Sequence, residues 1–354
     1  MDIDEILYNA RNRGCSDVHL TVGMPPVVRD NGVLKCLPEY PELSEKNILS
    51  ICDRMTSDKQ KSQVLKQIDT DFTFVSESGH RHRVNIYRQR GNTAVAIRIL
   101  HADIPTLSDL KLPPVLSDFS AKPRGLVLVT GPTGSGKSTT LAAMIDQINT
   151  TKSSHIITIE DPIEYMHTNK KCMINQREVG LDVPDFASAL RSALREDPDV
   201  ILVGEMRDLE TVNAAVTAAE TGHLVLSTLH TSGAASTIDR IIDVFPGHQQ
   251  KQIRTQLASV LVGICTQTLI PRADGNGRIA CLEILSVTDA VSSMIREDKV
   301  HLISSAIQTG KAQGMQSLDQ ELARMVRENV ISLQSGIERC SSPAEFNRFL
   351  NNAR

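Results

Sequence analysis

An α/β core built on a parallel sheet, with a smaller α+β domain ahead of it, is the fold class this 354-residue sequence predicts. Three observations predict it. From Gly125 onward the short β-branched runs GLVLVT, HIITIE, VILVGE and HLVLST alternate with helical patterns, as parallel strands joined by crossover helices require. The first run leads into a glycine-rich turn that opens a helix, GPTGSGKSTT. Before residue 100 the pattern differs. One amphipathic helix carrying Ile3, Ile6, Leu7 and Ala10 is followed by strand-length pieces separated by GMPP, DNG and ESGH turns.

In chain order, residues 1–100 are expected to form the α+β domain. Residues 101–124, with Pro105, Pro113, Pro114 and Pro123, are expected as a linker. Residues 125–354 are expected to form the α/β domain, ending in a helical extension in which Ile253, Leu257, Val260, Leu261 and Ile264 share one helix face. A hydrophobic content of 40% suffices for two cores. Lys and Arg number 38 against 42 Asp and Glu, a formal charge of −4, so no general positive excess recruits nucleic acid. The seven cysteines stand singly, outside any zinc or disulfide spacing, and are expected as reduced, packed thiols of a cytoplasmic protein. The acidic start MDIDE lacks a signal peptide's cationic region, and no apolar run is long enough to span a bilayer. Membrane association is therefore expected only through a partner.

Gly131 to Ser138 satisfies G-x-x-x-x-G-K-[ST]. Glycines let successive N–H groups turn inward on phosphate oxygens, and the helix that follows adds its dipole and unpaired donors. Thr133, Gly134, Ser135, Gly136, Lys137, Ser138 and Thr139 are the expected ATP-binding residues, with Lys137 on the β- and γ-phosphates and the Ser138 hydroxyl on Mg²⁺.

Hydrolysis needs a group to activate water and others to answer the charge developing on the γ-phosphate. Val200 to Glu205 is a core strand ending in a carboxylate, with Gly204 where an hhhhDE pattern has its metal-bound aspartate. Glu205 is the expected general base. Glu160, Asp161 and Glu164, directly after HIITI, are candidates for the Mg²⁺ shell, with Glu164 also a catalytic candidate. His230, at the carboxyl end of the strand HLVLST, is expected to sense the γ-phosphate, and His223 at its other end to be structural or to serve an interface. In HRHRVNIYRQR a period of two turns Arg81, Arg83 and Asn85 away from Val84 and Ile86, and in AVAIRIL it turns Arg98 away from Val95, Ile97 and Ile99. Arginines in a domain without its own phosphate loop suit fingers for another subunit's nucleotide. Asn169-Lys-Lys-Cys172 lacks the aspartate of a guanine-reading N-K-x-D.

These residues resemble the type II/IV secretion and type IV pilus ATPases. SDVHLTVGMPPVVRDNGVL is similar to the family's N-terminal signature, GPTGSGKSTT to its phosphate loop and ITIEDPIEY to its Asp box. LREDPDVILVGEMRDLET is similar to its second acidic motif and TGHLVLSTLHT to its His box. The resemblance implies a homo-hexamer whose PAS-like N-terminal domain packs on the RecA-like ATPase domain of the next subunit. It implies Glu205 as catalytic glutamate, and Arg83 and Arg98 as arginines reaching ATP. It also implies a pilus platform protein of the inner membrane as partner, at the inner face of which the ATPase works. A long N-terminal region and a four-cysteine motif, frequent in assembly and secretion relatives, are missing, which points to the retraction branch. That branch's AIRNLIRE helix reads here AVSSMIRE, with Ser292 and Ser293 in place of Arg and Asn. A pilus-assembly or type II secretion ATPase is the alternative, and a RecA-like nucleic-acid translocase a more distant one.

Overall fold

The computed structural model describes residues 2–30, 32–65, 69–100 and 103–351. The chain divides into two compact units, Met1–Asp103 with Glu164–Met166, and Ile104–Ile163 with His167–Arg354.

The first unit begins with α1 (Ile3–Asn12), whose capping Asp2 side chain accepts from Asp4 N. The strands β1 (Asp17–Leu20), β2 (Val27–Asp30) and β3 (Val33–Cys36) follow, then α2 (Glu45–Met55), opened by a Ser44–Asn47 capping box, and α3 (Asp58–Leu65). The strands β4 (Thr70–Val75), β5 (Arg81–Gln89) and β6 (Asn92–Ile99) close an antiparallel sheet of order β3-β2-β1-β6-β5-β4. The alternation in β5 buries His82, Val84 and Ile86 and turns Arg81, Arg83 and Asn85 outward. Ile3, Ile6 and Leu7 of α1 and Ile48 and Ile51 of α2 pack with Val84, Val95 and Ile97 of the sheet.

The second unit starts with α4 (Val115–Ala121) and β7 (Gly125–Thr130), followed by α5 (Lys137–Thr151), β8 (His155–Glu160), β9 (Met173–Glu178) and α6 (Phe186–Ala193). Next come β10 (Val200–Val203), α7 (Leu209–Glu220), β11 (Leu224–Leu229), α8 (Ala234–Asp243) and α9 (Gly247–Val260). The chain ends with β12 (Leu261–Pro271), β13 (Arg278–Ser286), α10 (Asp289–Arg296), α11 (Ile303–Thr309), α12 (Leu318–Arg327), α13 (Leu333–Arg339) and α14 (Pro343–Asn351). The sheet order is β13-β12-β7-β11-β10-β8-β9, parallel except for β13. Every residue of β7, β10 and β11 is buried, because helices cover both faces. Leu126, Leu128, Ile157 and Ile201 fill one face, and Val127, Val129, Ile156 and Leu202 the other.

Three expectations are corrected. Residues 101 and 102 of the expected linker lie outside the described residues. From Ile104 the segment is no free connector: Leu107, Leu112, Val115, Leu116 and Phe119 are buried in the second core, and Pro113 and Pro114 lead into α4. The single helix face drawn through Ile264 is divided, since α9 stops at Val260, and Leu261 and Ile264 belong to β12. Short apolar runs satisfy both periods, and pairing with β7 decides for the strand. The C-terminal extension thus opens with two strands. Of the seven thiols, Cys36 is exposed rather than packed.

Candidate functional site

The chain leaves β7 at Thr130 and re-enters the sheet at β8, skipping the places filled by β11 and β10. Such a crossing opens a crevice at the carboxyl ends of parallel strands. Gly131, Glu160, Glu205 and His230 stand at or just past the carboxyl ends of β7, β8, β10 and β11, all on that edge.

Two glycines shape the phosphate loop. Gly131 has φ +139, and a Cβ there would lie 2.2 Å from Gln267 O. Gly136 caps α5 at φ +87, in the left-handed region where L side chains are strained. Thr133, Gly134 and Ser138 are exposed and Thr139 is half-buried. Lys137 is buried, and its Nζ donates to Gly131 O at 2.8 Å and Pro132 O at 3.0 Å, so the ammonium is folded over the loop it would share with phosphate. Ser135 Oγ is buried in the same loop without a hydrogen bond among the described residues. An orphaned polar atom in a glycine-rich turn at the start of a helix fits an oxyanion.

Glu205 is clamped from the neighbouring strands. Ser227 Oγ donates to Val203 O at 2.8 Å and Thr228 Oγ1 to Gly204 O at 2.6 Å, while Gly204 N donates to Ile159 O at 2.8 Å. A Cβ on Gly204 would sit 3.2 Å from Ile159 O and 3.4 Å from Glu160 Cα. A side chain at this position therefore requires the β8 backbone to give by a few tenths of an ångström. Arg207 Nε and His230 Nε2 both reach Glu205 Oε2, at 2.7 and 3.3 Å. Glu205 and Asp161 line a common cavity of about 570 Å³ that also includes Arg207 and Asp208. Glu160 Oε1 accepts from Thr158 Oγ1 at 2.7 Å and Gln176 Nε2 at 3.2 Å, which orients its carboxylate.

A sequence profile described as type II/IV secretion system protein matches residues 2–337. The chain belongs to that family. Within the type II/IV secretion family it is 48% identical, over 98% of its length and 100% of the relative's, to the type IV pilus retraction ATPase PilT of Pseudomonas aeruginosa. It is 46% identical to a twitching motility protein of Neisseria gonorrhoeae, over 90% of this chain and 84% of that one. Among solved structures it resembles the crystal structure of the pilus retraction motor PilT with bound ADP, at a TM-score of 0.92 and 46% identity, covering 98% of this chain and 99% of that one. The second unit is thus a RecA-like P-loop core.

In this member of the secretion family the remaining candidates are placed as follows. Arg83 and Arg98 point outward from the first unit's sheet, paired with Asp71 at 3.3 Å and Asp17 at 3.1 Å. Glu164 groups with that first unit, apart from the acids at 160 and 161. His223 Nδ1 lies 2.9 Å from Ala218 O at the end of α7, a structural contact. Two residues were missed. Arg207 was legible, being a cation two residues after Glu205. Gln267 was not: its Nε2 donates 2.6 Å to Ser135 O from 132 residues away, and only β12 lying beside β7 brings it there.

Proposed function

We propose that the chain is a mechanochemical ATPase that works as a homo-hexamer on an inner-membrane platform protein and powers pilus retraction. The observation that carries this reading is the juxtaposition, at one sheet edge, of the phosphate loop with a carboxylate held by an arginine and a histidine, Glu205 with Arg207 and His230.

Thr133 to Thr139 grip the triphosphate, and the N-terminus of α5 and Lys137 answer its charge. Glu205 takes a proton from the attacking water, while His230, hydrogen-bonded to the same carboxylate, reports whether the γ-phosphate is present. Ser138 with Glu160 or Asp161, all oxygen donors, would hold Mg²⁺, whose charge neutralises the phosphates when it is bound. Glu164 is a further catalytic candidate. Arg83 and Arg98 of one subunit serve the phosphates bound by another, so that turnover and movement are coupled. The protein works at the inner face of the cytoplasmic membrane. Among the described residues no helix is long and apolar enough to cross a membrane, which supports attachment through the platform partner.

Similarity to a retraction motor over nearly the full chain supports retraction over assembly. The serines at 292 and 293 on α10, where the retraction branch carries Arg and Asn, keep the assembly or secretion role as the second reading. A deletion strain decides between them. Abundant, long pili with lost twitching are expected of a retraction motor, and bald cells would overturn it.

A further inference from the structure

We propose that Gln267 is a positioning residue of the nucleotide site, a buried brace that holds the phosphate loop in its anion-receiving shape before nucleotide arrives. The inference rests on the nucleotide-binding reading above. Gln267 is 2% exposed, and both ends of its amide are engaged with the loop and with the helix that the loop opens. Nε2 donates to Ser135 O at 2.6 Å, and Oε1 accepts from Thr140 Oγ1 at 2.7 Å. Ser135 O can only accept, so the amide nitrogen must face it, and the amide's orientation follows.

The backbone closes the brace. Thr266 and Thr130 are ladder partners on β12 and β7, with their hydroxyls 2.9 Å apart in the core, which sets the level at which Gln267 meets the loop. A Cβ on Gly131 would strike Gln267 O at 2.2 Å, and one on Gly136 would come within 2.8 Å of Gln267 Nε2. Both glycines of the motif therefore rest on this one residue, at the two ends of the loop. Carbonyl 135 is drawn toward β12 by the amide. Ser135 N itself donates to Pro132 O at 3.2 Å, which closes the turn on its own backbone, and in an anion-binding turn it is the successive N–H groups that face the phosphate. A loop already in that shape loses less conformational freedom on binding, so the brace acts on affinity. The brace touches neither Glu205 nor the acids at 160 and 161, so it does not act on the proton transfer.

The test measures ADP affinity by calorimetry and steady-state ATP hydrolysis on the full-length protein and on Q267M, Q267E and T140V. Q267M keeps the volume and removes both hydrogen bonds, Q267E sets an oxygen against Ser135 O, and T140V removes only the Thr140 anchor. The loss of one buried hydrogen bond corresponds to about tenfold in an equilibrium constant. The expected result is an ADP dissociation constant and an ATP KM about tenfold higher in Q267M and Q267E, a smaller rise in T140V, and kcat within about twofold of the parent. Variants that melt at lower temperature yet bind ADP and show KM as the parent does would overturn the proposal, because a merely structural role moves stability alone. Should the Gln267 variants fail to fold, T140V decides by the same two readouts. A parent protein that binds no ADP would sink the nucleotide reading itself, whereas a binding parent with equally binding variants sinks the brace alone.

Discussion

Arg83 and Arg98 stand directly opposite each other on β5 and β6. Two cations in a cross-strand pair repel by roughly 0.2–1 kcal/mol, and the ion pairs with Asp71 and Asp17 offset this by amounts of the same size. Both arginines stay on the outer face of the sheet, where each is in an ion pair. Arg83→Ala and Arg98→Ala should therefore leave the melting temperature within about 2 °C of the parent, by fluorimetry, because exposed pairs contribute little. ATP turnover should fall at least about tenfold, because a charge-answering arginine contributes far more than that to phosphoryl transfer. Mixing either variant with Glu205→Gln subunits should restore activity above that of both parents. Full turnover by the single variants would remove the arginines from the chemistry.

Glu205→Gln keeps the side chain's shape and its contact with Arg207 while removing the basic oxygen. Nucleotide affinity should stay within about threefold, and turnover should drop about 10²–10⁴-fold, the range for loss of a general base. Calorimetry and phosphate release measure the two. Undiminished turnover would pass the role to the acids at 160, 161 and 164.

Lys137→Ala should abolish measurable ADP binding, because the ammonium folded over Gly131 O and Pro132 O is the cradle's one side-chain cation. Gly131→Ala should do the same by a different route, driving a Cβ into Gln267 O and costing about 1–3 kcal/mol in stability from the strained φ alone. Near-parental binding by either variant would contradict the cradle.

Acid should destabilise both units through two histidines, His82, which is buried, and His167, which is half-buried. Burial pushes His82 down to about 4, helped by Arg11 and His80, and burial likewise pushes His167 down to about 4. The unfolded chain takes up these protons near 6.5 and the folded chain does not. The stability they represent is complete above about pH 6.5 and is lost as the pH falls toward 4, by up to about 3 kcal/mol each. His82→Leu and His167→Leu should flatten that part of the curve in denaturant titrations between pH 4 and 7. An unchanged slope in both variants would show that other groups govern acid unfolding.

The strands β7, β8, β10 and β11 were legible because burial on both faces writes itself as an uninterrupted β-branched run. The strands β9 and β12 were not. MINQRE is polar enough to read as a loop, and LVGICTQTLIP follows a helix whose apolar spacing it continues. The outward faces of β5 and β6 could be read from the period of two, but the opposition of Arg83 and Arg98 could not, because register is set by the hairpin and the neighbouring strands. Gly204 was noticed as a departure. The closeness of Ile159 O to it belongs to the pairing of β10 with β8 and could not be read from the sequence.

By itself the sequence determined the turn that we propose grips phosphate. Gly131, Gly136, Lys137 and Ser138 act through dihedral angles and donors within one turn of chain, and such local geometry is carried by contiguous residues. The tertiary structure alone decided what surrounds that grip: Gln267 under the loop, Arg207 and His230 on Glu205, and Arg98 beside Arg83. Those contacts depend on which strand lies next to which and at what register. Both are set by how the whole sheet buries its two faces, a property no short stretch of residues contains.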